Sequence, residues 1–171
     1  MRKSEAKKKL TEVVKRFSGI TRKAIKEKLS EQDITTKFVL PMLETLNWNI
    51  YKITEQCSEV HEKAYREKPA VGKGLPDITL RSKNGTVFIE VKKPPLGKKG
   101  MANLERYEDA DLIVLTSFED LKVYTRYEKK KPKLRYESNY KTYVEKFDEL
   151  WKILSNTKIG KSTRAAYKAT R

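Results

Sequence analysis

Apolar residues recur along this chain with two periods, and the switch between them marks out the elements. Between Ser4 and Ser18, Leu10, Val13, Val14 and Phe17 fall on one helical face among lysines, and Gly19 breaks the pattern. Ile20 to Leu29 carries a second short helical piece. Ser30 then stands as an N-cap with Asp33 three residues on, the spacing of a capping box. Ile34, Phe38, Met42 and Leu46 form the core stripe of a helix beginning at Glu31 and ending near Leu46. Pro41 lies inside that stripe and predicts a kink or a division into two shorter helices.

Asn47 suits a turn, and beyond it the period shortens. Trp48 to Ile53 reads as extended. Cys57 to Gly74 is polar and fits a strand followed by a basic loop, where Lys63, Arg66, Lys68 and Lys73 accompany Tyr65. Such a loop suits a passing DNA strand and suits plain solvent equally well. Asp77 to Arg81 and Thr86 to Lys92 flank Ser82-Lys83-Asn84-Gly85, whose Asn-Gly step tolerates positive φ, so the two runs predict a hairpin. Pro94-Pro95 ends its second strand; Gly97 to Gly100 is a basic loop, and Met101 to Glu108 a short helix. Asp111 to Thr116 reads as a buried strand and Leu121 to Tyr127 as an alternating one. Lys129 to Lys133 makes a basic turn, and a last helix from Tyr140 to Leu154 buries Tyr143, Phe147, Leu150, Trp151 and Leu154.

This order predicts an α/β fold, a mixed β-sheet flanked by helices on both faces. The organisation expected is a basic helical extension over 1–30, one domain over 31–155, and a basic, flexible tail over 156–171. A chain of 171 residues is long enough for such a core. No run of about 18 apolar residues is present, so no membrane span is expected. Met1 to Ala6 leads into no apolar signal region, and the lone Cys57 gives neither an internal disulfide nor a zinc cluster. The expected setting is cytoplasmic.

Charge narrows the partners. A formal net charge of +16 attracts polyanions, and contacts with nucleic acid gain from counterion release at each phosphate. Lysine-rich surfaces in heat-adapted proteins come with matching acids, whereas 39 bases here stand against 23 acids. An acidic membrane is a poorer fit, because no long basic amphipathic helix displays Trp or Phe.

Counting along the hairpin locates the candidate chemistry. With the turn at Ser82 to Gly85, Arg81 faces Thr86, Leu80 faces Val87, Ile78 faces Ile89 and Asp77 faces Glu90. Ile78, Leu80, Val87, Ile89 and Val91 then share an apolar face, and Asp77, Glu90 and Lys92 share the other. Directly opposed residues have Cβ atoms about 4.5–5.5 Å apart, which suits two carboxylates on one metal. Oxygen donors select Mg²⁺ or Mn²⁺. Such a metal acidifies a water and neutralises charge building on a phosphate, with the Val91 carbonyl within reach of it and Lys92 ordering the water. The alternative is a Glu90–Lys92 ion pair on an exposed edge with Asp77 as a turn cap. Helical counting adds Glu31, which falls in the middle of the apolar stripe of its helix while Glu44 points away. A carboxylate there needs a partner, so Glu31 is the candidate third acid; stabilisation by the positive end of the helix dipole is the alternative.

Pro76-Asp77, a hairpin and then Glu90-Val91-Lys92 resemble the signature of the PD-(D/E)xK nuclease superfamily. Ser30 to Trp48, SEQDITTKFVLPMLETLNW, resembles the first helix of the nuclease domain in type I restriction cleavage subunits. Asn103 to Tyr107 followed by DLIVLTSFEDLKVY resembles the segment after that group's active-site lysine, and the likeness spans Glu31 to Tyr127. It implies a restriction-endonuclease-like fold and a Mg²⁺-dependent endonuclease acting on DNA rather than RNA. Asp77, Glu90, Val91 and Glu31 would hold the metal, and Lys92 would complete the catalytic set. Lys73, Lys93, Lys98 and Lys99, with the basic termini, would contact phosphates. Asn103 and Tyr107 would support the site, although the related proteins usually carry a glutamine where this chain has Asn103. No phosphate-binding motor loop is present, so a stand-alone nuclease or an excised domain of a larger restriction or repair assembly is expected.

Two other readings stay open. One is a nucleic-acid-binding module without catalysis, disfavoured because carboxylates facing a polyanion weaken simple binding. The other is a Holliday-junction resolvase of the same superfamily, which would need a two-fold homodimer. His61 reads as a surface residue, Cys57 as a small packed one, and Trp48 and Trp151 as core.

Overall fold

The computed structural model describes residues 1–20, 22–49, 76–82, 85–96, 104, 107, 110–125 and 131–156. Its centre is a mixed sheet of five strands in the order β1-β2-β3-β4-β5. These are β1 (Ile78–Ser82), β2 (Gly85–Val91), β3 (Leu112–Thr116), β4 (Asp120–Thr125) and β5 (Lys133–Asn139). Only β2 and β3 run parallel; the other neighbours are antiparallel. A parallel pair needs a crossover, and residues 92–111 provide it.

The β1–β2 register is the one the turn dictates: Ile78 faces Ile89, Leu80 faces Val87, and Arg81 faces Thr86. Gly85 is required at the turn's far side. Its φ is 151°, and a Cβ there would lie 2.7 Å from Asp111 Oδ2. That oxygen accepts the Thr86 N–H at 2.7 Å, and Asp111 N–H donates to the Thr86 carbonyl at 3.0 Å. Asp111 thus fastens the start of β3 beside β2.

The apolar alternation buries one sheet face under helices. α1 (Lys3–Ser18), α2 (Arg22–Lys28), α3 (Glu31–Ile34), α4 (Leu40–Thr45) and α5 (Phe147–Leu154) meet Ile78, Leu80, Val87, Ile89, Val114 and Val123 in one core. Trp48 and Trp151 belong to it, as expected. The opposite face carries a thinner cover, in which Leu104, Tyr107 and Ala110 from the crossover pack on Ile113, Leu115 and Tyr124. Of the helix expected over Met101 to Glu108, only Leu104 and Tyr107 are among the described residues.

Several expectations change. The N-terminal thirty residues, expected as an extension, supply Ala6, Leu10, Val13, Phe17 and Ile25 to the main core. Pro41 is accommodated by a π turn over Thr35–Val39, where the Leu40 N–H reaches back five residues to the Thr35 carbonyl. The wider turn absorbs the proline's missing donor and ring, and it offsets the helical phase of Glu31 from that of Met42. The last helix starts at Phe147 rather than Tyr140. Upstream, Asn139 Oδ1 accepts the Lys141 N–H and the Asn139 carbonyl accepts the Thr142 N–H, closing local turns that compete with helix. β5 was not anticipated. Trp48 is not in a strand; its indole N–H donates to the Leu154 carbonyl at 2.8 Å. Asn49 is not in a strand either, and Ile50 to Ile53 and the Cys57 to Gly74 segment lie outside the described residues.

Candidate active site

Four side chains from three elements meet at the C-terminal end of β2. Asp77 directly precedes β1, where the ladder stops at Ile78. Its Oδ2 takes the Val91 N–H at 2.6 Å, where a continuing strand would have offered a carbonyl. Glu90 lies on the thinly covered face of β2, beside Leu115 of β3, and its residue is only 4% exposed. A carboxylate that deep needs partners. The Tyr107 phenol donates to Oε2 at 2.5 Å, and the Lys92 ammonium lies 2.8 Å from Oε1. The Tyr107 ring is itself fixed edge-on against Phe88, 5.4 Å between centroids.

Lys92 is the hub. Its backbone N–H donates to the Thr116 carbonyl at 2.9 Å, so β3 holds it in place just past the end of β2. Its Nζ donates to the Val91 carbonyl at 3.0 Å and stands 3.9 Å from both Asp77 Oδ2 and Glu31 Oε2. Glu31 arrives from the first turn of α3, which the Ser30–Asp33 capping box opens as expected. With its side chain 48% exposed, Glu31 stands at the solvated first turn of α3 rather than in the apolar stripe. Next to it, Lys37 and then Ser30 hold the Asp33 carboxyl well below the usual carboxylate range.

Three carboxylates against one ammonium leave the cluster formally at −2. Burial pushes the Asp77 carboxyl up, and the charges of Glu90 and Glu31 add to that, against the lowering effect of the Val91 N–H and Lys92. For Lys92, burial alone would lower the ammonium; the Glu90 hydrogen bond and the charges of Glu90, Asp77 and Glu31 outweigh it, and the pKa is raised. Among the described residues, no three His, Cys, Asp or Glu side chains are grouped as a ready metal cage. The ammonium occupies the point on which the carboxylates converge. The donor chemistry nevertheless fits a small hard cation, because Asp77, Glu90, Glu31 and the Val91 carbonyl offer only oxygen.

The turn from β3 to β4 supports this end of the sheet, and sequence patterning missed it. Thr116 Oγ1 accepts the Phe118 N–H and donates to the Asp120 carbonyl, both at 2.9 Å. Phe118 is fully buried at a φ of 61°, and its carbonyl accepts the Tyr143 hydroxyl at 2.9 Å. Burial raises the Asp120 carboxyl, and the charge of Glu119 adds to that. The only signal was the short polar run Thr116-Ser117 before Glu119-Asp120.

Of the lysines expected to meet phosphate, Lys93 is exposed beside the cluster. Lys73, Lys98 and Lys99 lie outside the described residues, as do Asn103, His61 and Cys57. Among the described residues, no helix is long and apolar enough to cross a membrane. No family model, no curated protein and no solved structure matches the chain.

Proposed function

We propose that this chain is a metal-dependent DNA endonuclease of the PD-(D/E)xK type, with a restriction-endonuclease-like fold. The observation that carries the reading is a single lysine within 4 Å of three carboxylates at the end of a mixed sheet. One of those carboxylates is almost fully buried. An isolated structural ion pair needs one acid, and three acids around one ammonium leave negative charge for a divalent cation to balance. The net charge of +16 supports a polyanionic substrate.

Asp77, Glu90 and the Val91 carbonyl would bind Mg²⁺ or Mn²⁺, with Glu31 as an outer acid. When bound, the cation supplies positive charge against the phosphate and acidifies a nearby water. Lys92 orients that water and stabilises charge on the phosphate oxygens. Tyr107 holds one Glu90 oxygen, so the other keeps a fixed direction toward Lys92. Phe88, Leu104 and Leu115 keep bulk water from the buried side of Glu90.

The test is incubation with supercoiled, linear, single-stranded and branched DNA in Mg²⁺, Mn²⁺ or EDTA. Cleavage should require the cation and be lost in Asp77→Ala and Glu90→Ala. Cleavage that persists in EDTA, or in either variant, would overturn the mechanism. Binding of every substrate without cleavage would instead indicate a non-catalytic module, and a preference for four-way junctions a resolvase.

A further inference from the structure

The position of α1 raises a question the cluster does not answer: how a polyanion approaches a site that is itself negative. α1 starts beside the end of α4 and the start of α5 and ends beside the β3–β4 turn. At its start the Met1 carbonyl accepts from Asn47 Nδ2 at 3.3 Å, and Lys3 pairs with Asp148 at 2.7 Å. At its finish Phe17 packs on Phe38 and Phe118, with ring centroids 5.1 and 4.9 Å away. Phe118 lies two residues past Thr116, whose carbonyl holds the Lys92 N–H. The last turn of α1 therefore stands at the same end of the sheet as the carboxylate cluster. From there the chain passes through Gly19 and α2 to Ser30 and Glu31, so α2 also finishes beside the cluster.

Lys15 and Arg16 are exposed on that last turn, and Lys28 is exposed at the end of α2, three residues before Glu31. Ile25 and Phe17 are buried, which fixes both helices to the core and leaves these bases on a rigid frame. Lys7, Lys8 and Lys9 are exposed as well, but Lys8 sits seven residues before Lys15, about 10 Å back along the helix axis.

We infer that Lys15, Arg16 and Lys28 form a phosphate-contacting wall beside the cluster, which holds the backbone of duplex DNA flanking the bond to be cut. The inference rests on the nuclease reading for the role of the cluster, and on its own observations for the wall. Charge complementarity selects the partner: a cluster at −2 repels a polyanion, and three cations on helices that end at the same end of the sheet offset that charge. Compensation of the negative C-terminal ends of α1 and α2 is the competing role for these bases. It would appear in thermal stability and not in DNA affinity.

The measurement is the salt dependence of binding to a short fluorescent duplex by the full chain in EDTA, where cutting is suppressed. Combined Lys15→Ala, Arg16→Ala and Lys28→Ala should reduce the slope of log K against log salt by about 2 to 3, at roughly 0.9 per phosphate contact. Combined Lys7→Ala, Lys8→Ala and Lys9→Ala removes the same charge and should reduce it by less than about 1. An unchanged slope in the first variant, or equal reductions in the two, would overturn the wall. Combined Lys15→Gln, Arg16→Gln and Lys28→Gln repeats the test should alanine impair folding. A reduced slope in a chain that cuts no DNA would sink the nuclease reading and leave the wall; cutting with an unaltered slope would do the reverse.

Discussion

Glu90, Leu115, Lys122 and Glu137 are registered neighbours in one row across β2, β3, β4 and β5, so all four project from the same face of the sheet. Each end of that row carries a lysine–glutamate pair. Lys92 lies 2.8 Å from Glu90, and Lys122 lies 3.0 Å from Glu137. The distances match, and the environments do not. The Glu90 side chain is 5% exposed and bonded to Tyr107, whereas that of Glu137 is 54% exposed on β5. Residue identity and spacing alone cannot separate a surface ion pair from the heart of a site. The crossover that covers one end of the row and leaves the other open separates them.

The comparison can be broken first by removing each ammonium. Lys92→Met strands a buried carboxylate and should cost about 3 kcal/mol, the lower end for a broken buried pair because the Lys92 side chain is itself 30% exposed. Lys122→Met leaves Glu137 in water and should cost less than about 1 kcal/mol. Urea unfolding of the two variants checks both values, and equal losses would abolish the distinction. Tyr107→Phe comes next. It removes the hydrogen bond to Glu90 and keeps the ring against Phe88, so a loss of about 1.5 kcal/mol is expected, as for a bond to a charged acceptor.

The alkaline limb of stability gives a smaller contrast. Lys92 and Lys122 both have raised pKa values, Lys92 against its burial and Lys122 chiefly through the Glu137 hydrogen bond. A raised folded value means each pair stabilises fully below the ordinary lysine value of about 10.4, and the contribution is lost as pH rises through the raised one. Losing the ammonium costs most where the carboxylate is buried. Stability measured from about pH 9.4 to about pH 11.4, one unit either side of that value, should therefore fall less steeply for Lys92→Met than for wild type. Lys122→Met should also fall less steeply than wild type, but by less, because solvent screens its pair with the exposed Glu137. The fully buried Tyr143 phenol, raised well above its ordinary value by burial, adds the same downward slope to all three above about pH 10.

Much of this was legible in the sequence, for local reasons. The hairpin register followed from a turn placed over Ser82 to Gly85, and the alternation then placed Glu90 on the face opposite Ile89 and Val91. The Ser30–Asp33 box was readable because its two bonds span three residues. What escaped depends on long-range cover or on side-chain competition. β5 carries Lys133, Arg135 and Glu137, charges that protect an edge strand and so conceal it as a basic turn. The late start of α5 follows from Asn139 and Thr142 closing turns of their own. Glu31 was reached by helical counting that assumed a uniform period, and the π turn broke that assumption while leaving Glu31 within 3.9 Å of Lys92. The Tyr107 bond to Glu90 crosses seventeen residues of chain; only the resemblance, not the periodicity, pointed to Tyr107.

The central claim is that the covered end of the row is chemically active and the open end is not. It is tested most directly by following the cutting of one labelled duplex in Mg²⁺ by wild type, Lys92→Met, Glu90→Gln and Lys122→Met, each confirmed folded. Wild type and Lys122→Met should cut at comparable rates and stop in EDTA, while Lys92→Met and Glu90→Gln should be slower by at least about 100-fold. Equal rates across the four proteins would contradict the account.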